Sequence, residues 1–180
     1  MTRLARLFAF TAVAAVAAPA LAADKYDNPE YKSWAQYKPG TSIVTRLTVE
    51  LSGASKVTTT TTTLVEVTKD EVVVESTAVI TEDGREVKLS PKRSAIPQQV
   101  NSLPPSPKES AKKVGPFEEG KKKVKVGDTE FECEWVKSDA TVVVTETFSC
   151  DSLPGIRVKN VMKTEDGHTT TEVIKATLKK

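Results

Sequence analysis

One histidine and two cysteines in 180 residues leave too few ligands for a zinc site of the usual kind. No Gly-x-Ser-x-Gly elbow, His-Glu-x-x-His, Walker loop or dinucleotide fingerprint occurs. Nothing therefore sets a nucleophile beside a base and an orienting group, and the sequence predicts a non-enzymatic protein without a cofactor. No stretch approaches the roughly 18 apolar residues that a spanning helix needs. A net charge is also lacking. The whole chain carries 26 Lys and Arg against 24 Asp and Glu, but two of the Arg lie within residues 1–22. Without that segment the balance is 24 against 24, which removes the support for a nucleic-acid partner.

Residues 1–22 read as an export signal. Arg3 and Arg6 form a short basic start, Leu7 to Val16 is apolar, and Ala20-Leu21-Ala22 is a small-residue cleavage site. The expected location is the periplasm or the extracellular space. No cysteine follows the cleavage position, which argues against lipidation there. Residues 23–180 suit one domain with its own core.

What is abundant is Thr and Val, with 23 of each. Both are β-branched and fit a pleated surface better than a helix. Ile43 to Leu51 alternates, with Ile43, Leu47, Val49 and Leu51 on one face. Similar runs lie near 56–68, 71–82, 85–90, 121–126, 129–137, 140–149, 156–164 and 169–179. These predict an all-β fold of about nine strands. The short connections make the sheet antiparallel, and its length lets it curl into an open half barrel.

Turn residues set the register. Asp83-Gly84 suits a type I′ hairpin that pairs Ile80 with Val87 and Ala78 with Leu89, apolar on apolar. Gly127-Asp128 pairs Val124 with Phe131 and sets Lys125, Lys123 and Lys121 opposite Glu130, Glu132 and Glu134. Asp166-Gly167 marks a third hairpin, in which Val173 and Ile174 compete for the inner face.

Six of the ten prolines fall within 91–119. Proline lacks an amide donor, so this segment is expected to be a long loop between a four-stranded and a five-stranded half. Residues 91–125 carry nine basic and three acidic side chains. Near the start of the mature chain, Asn28 can cap a short helix, with Pro29 at its first position and Glu30 in its first turn. Tyr31, Trp34 and Tyr37 form a stripe, and Pro39-Gly40 ends the helix, which should lie on the sheet.

Candidate chemistry is sparse. His168 reads as an exposed turn residue, Glu130, Glu132 and Glu134 as a solvated ladder with their lysines, and Thr58 to Thr63 as an ordinary strand. The same pairing turns the Lys121 to Lys123 run from a phosphate patch into one side of that ladder. Cys133 and Cys150 invite a disulfide in an exported chain. A Ser138-Asp139 turn argues the other way. It sets Trp135 opposite Val142 and Cys133 opposite Val144, leaving Cys150 roughly 20 Å along the strand at about 3.3 Å per residue. A bridge needs Cα atoms within about 7 Å. Both readings stand at the level of sequence. Phe131, Trp135 and Phe148 fall on one face with both cysteines, and Trp34 can join them. They form either a closed core or the wall of a pocket for a lipid-like ligand such as an acyl chain.

Asn28 to Trp34, Tyr37 to Ser42, Phe131-Glu132-Cys133-Glu134-Trp135 after Val126-Gly127-Asp128, and Leu153 to Lys159 together resemble a group of small exported bacterial proteins. Their layout is similar to the outer-membrane lipoprotein carrier (LolA/LolB-type) superfamily. That resemblance implies an incomplete antiparallel barrel covering an apolar cavity, with a lipid or lipoprotein acyl chain as partner and no catalytic residues. Two departures go with it. The carriers' long helical lids are replaced by the 91–119 segment and one short helix, and their basic residue near the cavity has no counterpart.

Overall fold

A computed structural model describes residues 25–102, 106, 108, 110, 111, 115–140, 142–155 and 157–180. The expected export signal at 1–22 lies outside the described residues. The chain forms β1 (Tyr26–Asp27), α1 (Pro29–Ala35), β2 (Ser42–Leu51), β3 (Ala54–Val67), β4 (Glu71–Glu82), β5 (Arg85–Lys88), β6 (Lys92–Pro97) and β7 (Gln99–Val100). It continues with β8 (Phe117–Val126), β9 (Thr129–Ala140), β10 (Val143–Ser149), β11 (Arg157–Thr164) and β12 (Gly167–Thr177). All nine expected strands are present.

Ten strands make one antiparallel sheet in the order β5-β4-β3-β2-β12-β11-β10-β9-β8, and β6 also pairs with β4. The sheet does not close into a barrel. It does curl, because β8 and β12 touch although they are not paired. β1 and β7 form a separate two-stranded ribbon. The two halves expected from the sequence join where β2 pairs with β12, so the first and last long strands meet in the middle.

Asp83 and Gly84 both take positive φ, 50° and 73°, as a type I′ turn requires, and Ile80 pairs with Val87. That hairpin lies at the sheet edge. Val87 and Leu89 stay exposed at 56% and 47%, so the pairing is as expected and its burial is not. At the Gly127-Asp128 turn Val124 pairs with Phe131, and the three lysines stand opposite the three glutamates. The ion pairs, however, run diagonally, Lys121 to Glu132 at 3.0 Å and Lys123 to Glu130 at 3.4 Å. Strand twist brings these long side chains to the diagonal neighbour.

Two expectations of the sequence, the unbroken 91–119 loop and the Ser138-Asp139 turn, need correction, and one open register is resolved. Within the proline-rich stretch 91–119, Lys92–Pro97 is strand β6 and β8 begins at Phe117. Pro97 is tolerated because β6 lies at an edge and Pro97 is its last residue. Ser138-Asp139 is not a turn. β9 continues to Ala140, and Phe148, not Val142, faces Trp135. Val142 instead sits at the hairpin tip, 63% exposed. The competition between Val173 and Ile174 is a β-bulge: Val173 pairs with Thr45, Lys175 with Val44, and Ile174 is the extra residue.

The core runs across both halves. Ile43, Leu64, Val72, Val74 and Ile96 join Val126, Phe148, Leu153, Val158 and Val173 in one cluster. Asn28 caps α1 by accepting the Glu30 amide at 3.0 Å, and its own amide donates to the Pro97 carbonyl at 2.9 Å, tying the helix to β6. The helix ends at Ala35, earlier than Pro39-Gly40 suggested, and Trp34 is buried at 2% exposure.

Candidate functional site

The residues singled out by sequence are brought together. Trp135 and Phe148 are direct cross-strand partners on β9 and β10, and both are buried. That register ends with Ser149 opposite Glu134, and Cys150 and Cys133 are the next residues on their two chains. Phe131 lies two residues before Cys133, half-buried against the core and paired with Val124. Trp34 reaches the same cluster from α1. The helix is held there by polar contacts with the turn after β10. Tyr37 donates its hydroxyl to the Ser152 carbonyl at 2.6 Å, Gln36 donates to the Asp151 carbonyl at 3.0 Å, and the Gly155 amide donates to Ser33 Oγ at 3.0 Å.

Trp135 is fixed on several sides. Its indole Nε1 donates to Glu146 Oε2 at 3.3 Å. The Lys122 ammonium lies 3.3 Å from its ring centroid, a cation–π contact. Every buried side-chain nitrogen and oxygen among the described residues has a hydrogen-bond partner. The four aromatic residues thus form part of a packed core whose polar atoms are satisfied within the chain.

Cys133 and Cys150 are thiols in this structure, 1% and 3% exposed. Cys150 Sγ donates to the Glu132 carbonyl at 3.5 Å and lies 3.0 Å from Ser152 Oγ. Cys133 Sγ donates to the Phe131 carbonyl at 3.7 Å. Burial, together with the neighbouring Cys150, pushes the Cys133 thiol up to about 12, so it is protonated at neutral pH. Burial also raises the Tyr37 hydroxyl above its usual range, with Cys150 adding to the effect.

Among the described residues, clefts at and beyond the margin of this core include three. One of about 660 Å³ beside Trp135 is lined by Lys108, Glu119, Lys121, Glu134 and Asp151, among others. A second of about 450 Å³ lies between the β2–β3 and β11–β12 hairpin tips, with Glu50, Lys163 and His168 in its wall. The third, about 210 Å³, is lined by Ala111, Ser138, Thr147, Arg157 and Asn160. Neither the second nor the third is visible in the sequence pattern, since each draws on segments distant in the chain. His168 stands opposite Glu50 in the β12–β2 register, with its Nε2 3.5 Å from Glu50 Oε2. Both are well exposed, and among the described residues no cluster of three or more His, Cys, Asp or Glu could hold a metal.

Comparison with known proteins adds no relative: no family model and no curated protein matches the chain.

Proposed function

We propose that this chain is a non-enzymatic exported protein that acts as a structural or interaction module of the cell envelope, with its core filled by its own side chains. The observation that supports this reading is the packing of Trp34, Trp135, Phe148 and Cys133 into one cluster whose polar atoms find partners within the protein. An apolar ligand would have to displace that packing, and close-packed interiors resist such displacement. Export rests on the basic, apolar and Ala-Leu-Ala segments of residues 1–22. It is tested by expressing the whole chain in a Gram-negative host and measuring the mass of the periplasmic product, which should begin at Ala23.

A second reading keeps the lipid-like partner and moves its site. The sheet is open, and its register puts Val87, Ile80, Thr58 and Leu47 in one row across four strands. Val49 and Met162 follow on the same face beside Thr169. This half-exposed strip would shelter an acyl chain by apolar burial, at about 25 cal/mol per Å². Native mass spectrometry and titration with a dansyl-labelled fatty acid separate the two readings. The module reading expects a bare mass and no saturable binding. Saturable binding abolished by Leu47→Asp would replace it with the acyl-chain reading.

A further inference from the structure

We propose that Cys133 and Cys150 are the two halves of a disulfide that closes between β9 and β10 while the protein folds, before the core buries them. The register carries this inference. Phe148 pairs with Trp135 and Ser149 with Glu134. The paired ladder ends there, and continuing it by one residue on each strand would set Cys150 across from Cys133. Directly opposed residues of antiparallel strands have Cα atoms about 4.5–5.5 Å apart, within the range a disulfide spans. The 20 Å separation implied by a Ser138-Asp139 turn disappears, because β9 continues to Ala140. The chain is close at this point, because Cys150 Sγ donates to the carbonyl of Glu132, the residue before Cys133, at 3.5 Å.

Order of events follows from burial. At 1% and 3% exposure, neither sulfur is open to a bulky oxidant in the folded state. Cys133 is also held as the unreactive thiol, and the thiolate is the nucleophile in exchange. The unfolded chain has neither restriction. There, one thiolate attacks a sulfur of an oxidising disulfide, either a small molecule or a protein, and forms a mixed disulfide. The second thiolate then attacks the protein sulfur of that bond. The two cysteines lose two protons and two electrons and gain one S–S bond, and the oxidant leaves as two thiols. The bridge would pin β10 to β9 at the point where the chain turns into Leu153 and the α1 clamp.

The inference rests on the proposed export, since disulfides persist in oxidising compartments. Two arms keep the two ideas separable. In the first, protein expressed with its own leader is denatured without reductant and treated with iodoacetamide. The expected product begins at Ala23 and takes up no label, then takes up two labels after reduction. Two labels without reduction on the processed protein would overturn the disulfide. In the second arm, reduced unfolded chain is refolded in a buffer of oxidised and reduced glutathione. If the first arm shows a retained leader and free thiols, export has failed and this arm decides. Bridged protein upholds the pairing, and free thiols overturn it. The same buffer tests the order of events. Bridging should be at least about 100-fold slower when oxidant is added to the folded, reduced protein than to the unfolded chain, and equal rates would overturn that part. Reducing the bridge should lower Tm by on the order of 5–10 °C.

Discussion

Gly167 shows how one hydrogen atom in place of a side chain can decide whether two strands meet. A Cβ at this position would lie 2.0 Å from the Glu50 carbonyl oxygen and 3.1 Å from the Leu51 Cα, both backbone atoms that no rotamer change can move. Gly127 differs: its φ is +58°, yet a Cβ there would meet nothing within 4 Å. Gly167→Ala is therefore expected to destabilise the protein by more than the roughly 1 kcal/mol of a strained turn glycine, because β12 must shift away from β2. Gly127→Ala should stay near that figure. Urea unfolding of both variants checks the ranking, and equal losses would remove the close-approach explanation. Cys133 supports a second prediction at this scale. Its thiol is raised from 9.0 to about 12 in the folded protein. Below pH 9 neither state ionises this group, so its contribution to stability is fully present. Between pH 9 and about 12 the unfolded chain releases the proton and the folded chain keeps it, so the reduced protein loses stability as pH rises. A bridged protein has no thiol to titrate. The Tm difference between bridged and reduced protein should therefore widen above pH 9, and a constant difference would count against the buried thiol.

At the scale of strands, legibility depended on which residues occupy the tips. Asp83-Gly84 and Gly127-Asp128 carry turn chemistry that follows from positive φ, and their registers were readable to the residue. The β9–β10 tip has Val142, a strand former left 63% exposed, whereas Ser138-Asp139 looks like a turn and lies within β9. That false tip put Cys150 far from Cys133 in the expected register, whereas the observed ladder brings Ser149 opposite Glu134. The bulge at Ile174 was visible only as two apolar residues competing for one face. β6 was obscured by its prolines, which an edge position tolerates. The lysine ladder was read correctly as a register, but its ion pairs were not, because twist redirects long side chains. A double-mutant cycle tests this. Lys123 should couple to Glu130 by about 0.2–1 kcal/mol, as exposed pairs do, and less to Glu132 directly opposite. For Lys121, the hydrogen bond and charge of Glu132 raise the ammonium above its usual 10.5. Coupling between those two should persist at pH 9 and fade as pH rises through that raised value. Stronger coupling between directly opposed pairs would contradict the diagonal geometry.

For the molecule as a whole, the joint between β2 and β12 makes two sequence-separated halves one folding unit. β12 has β11 on one side and β2 on the other, so half of its ladder belongs to each half of the chain. The core repeats this arrangement, since Leu64 and Val72 from the first half lie in the same cluster as Phe148 and Leu153 from the second. Thr41 adds a further link: its amide donates to Lys38 while its side chain accepts the Lys179 amide at 3.0 Å, holding the C-terminal end beside the start of β2. Neither half can complete its hydrophobic face alone, and burial of apolar surface is the main favourable term in folding. A chain ending at Thr164 lacks the central strand and leaves unpaired edges on β2 and β11. It is expected to lose protected amides in both halves together, rather than unfolding β8 to β11 while β2 to β6 stay ordered. Hydrogen exchange followed by mass spectrometry on the truncated chain decides between these outcomes. Persistent protection in β3 and β4 alone would show that the first half folds independently, and the β2–β12 joint would then be a contact between two units and not the element that makes them one.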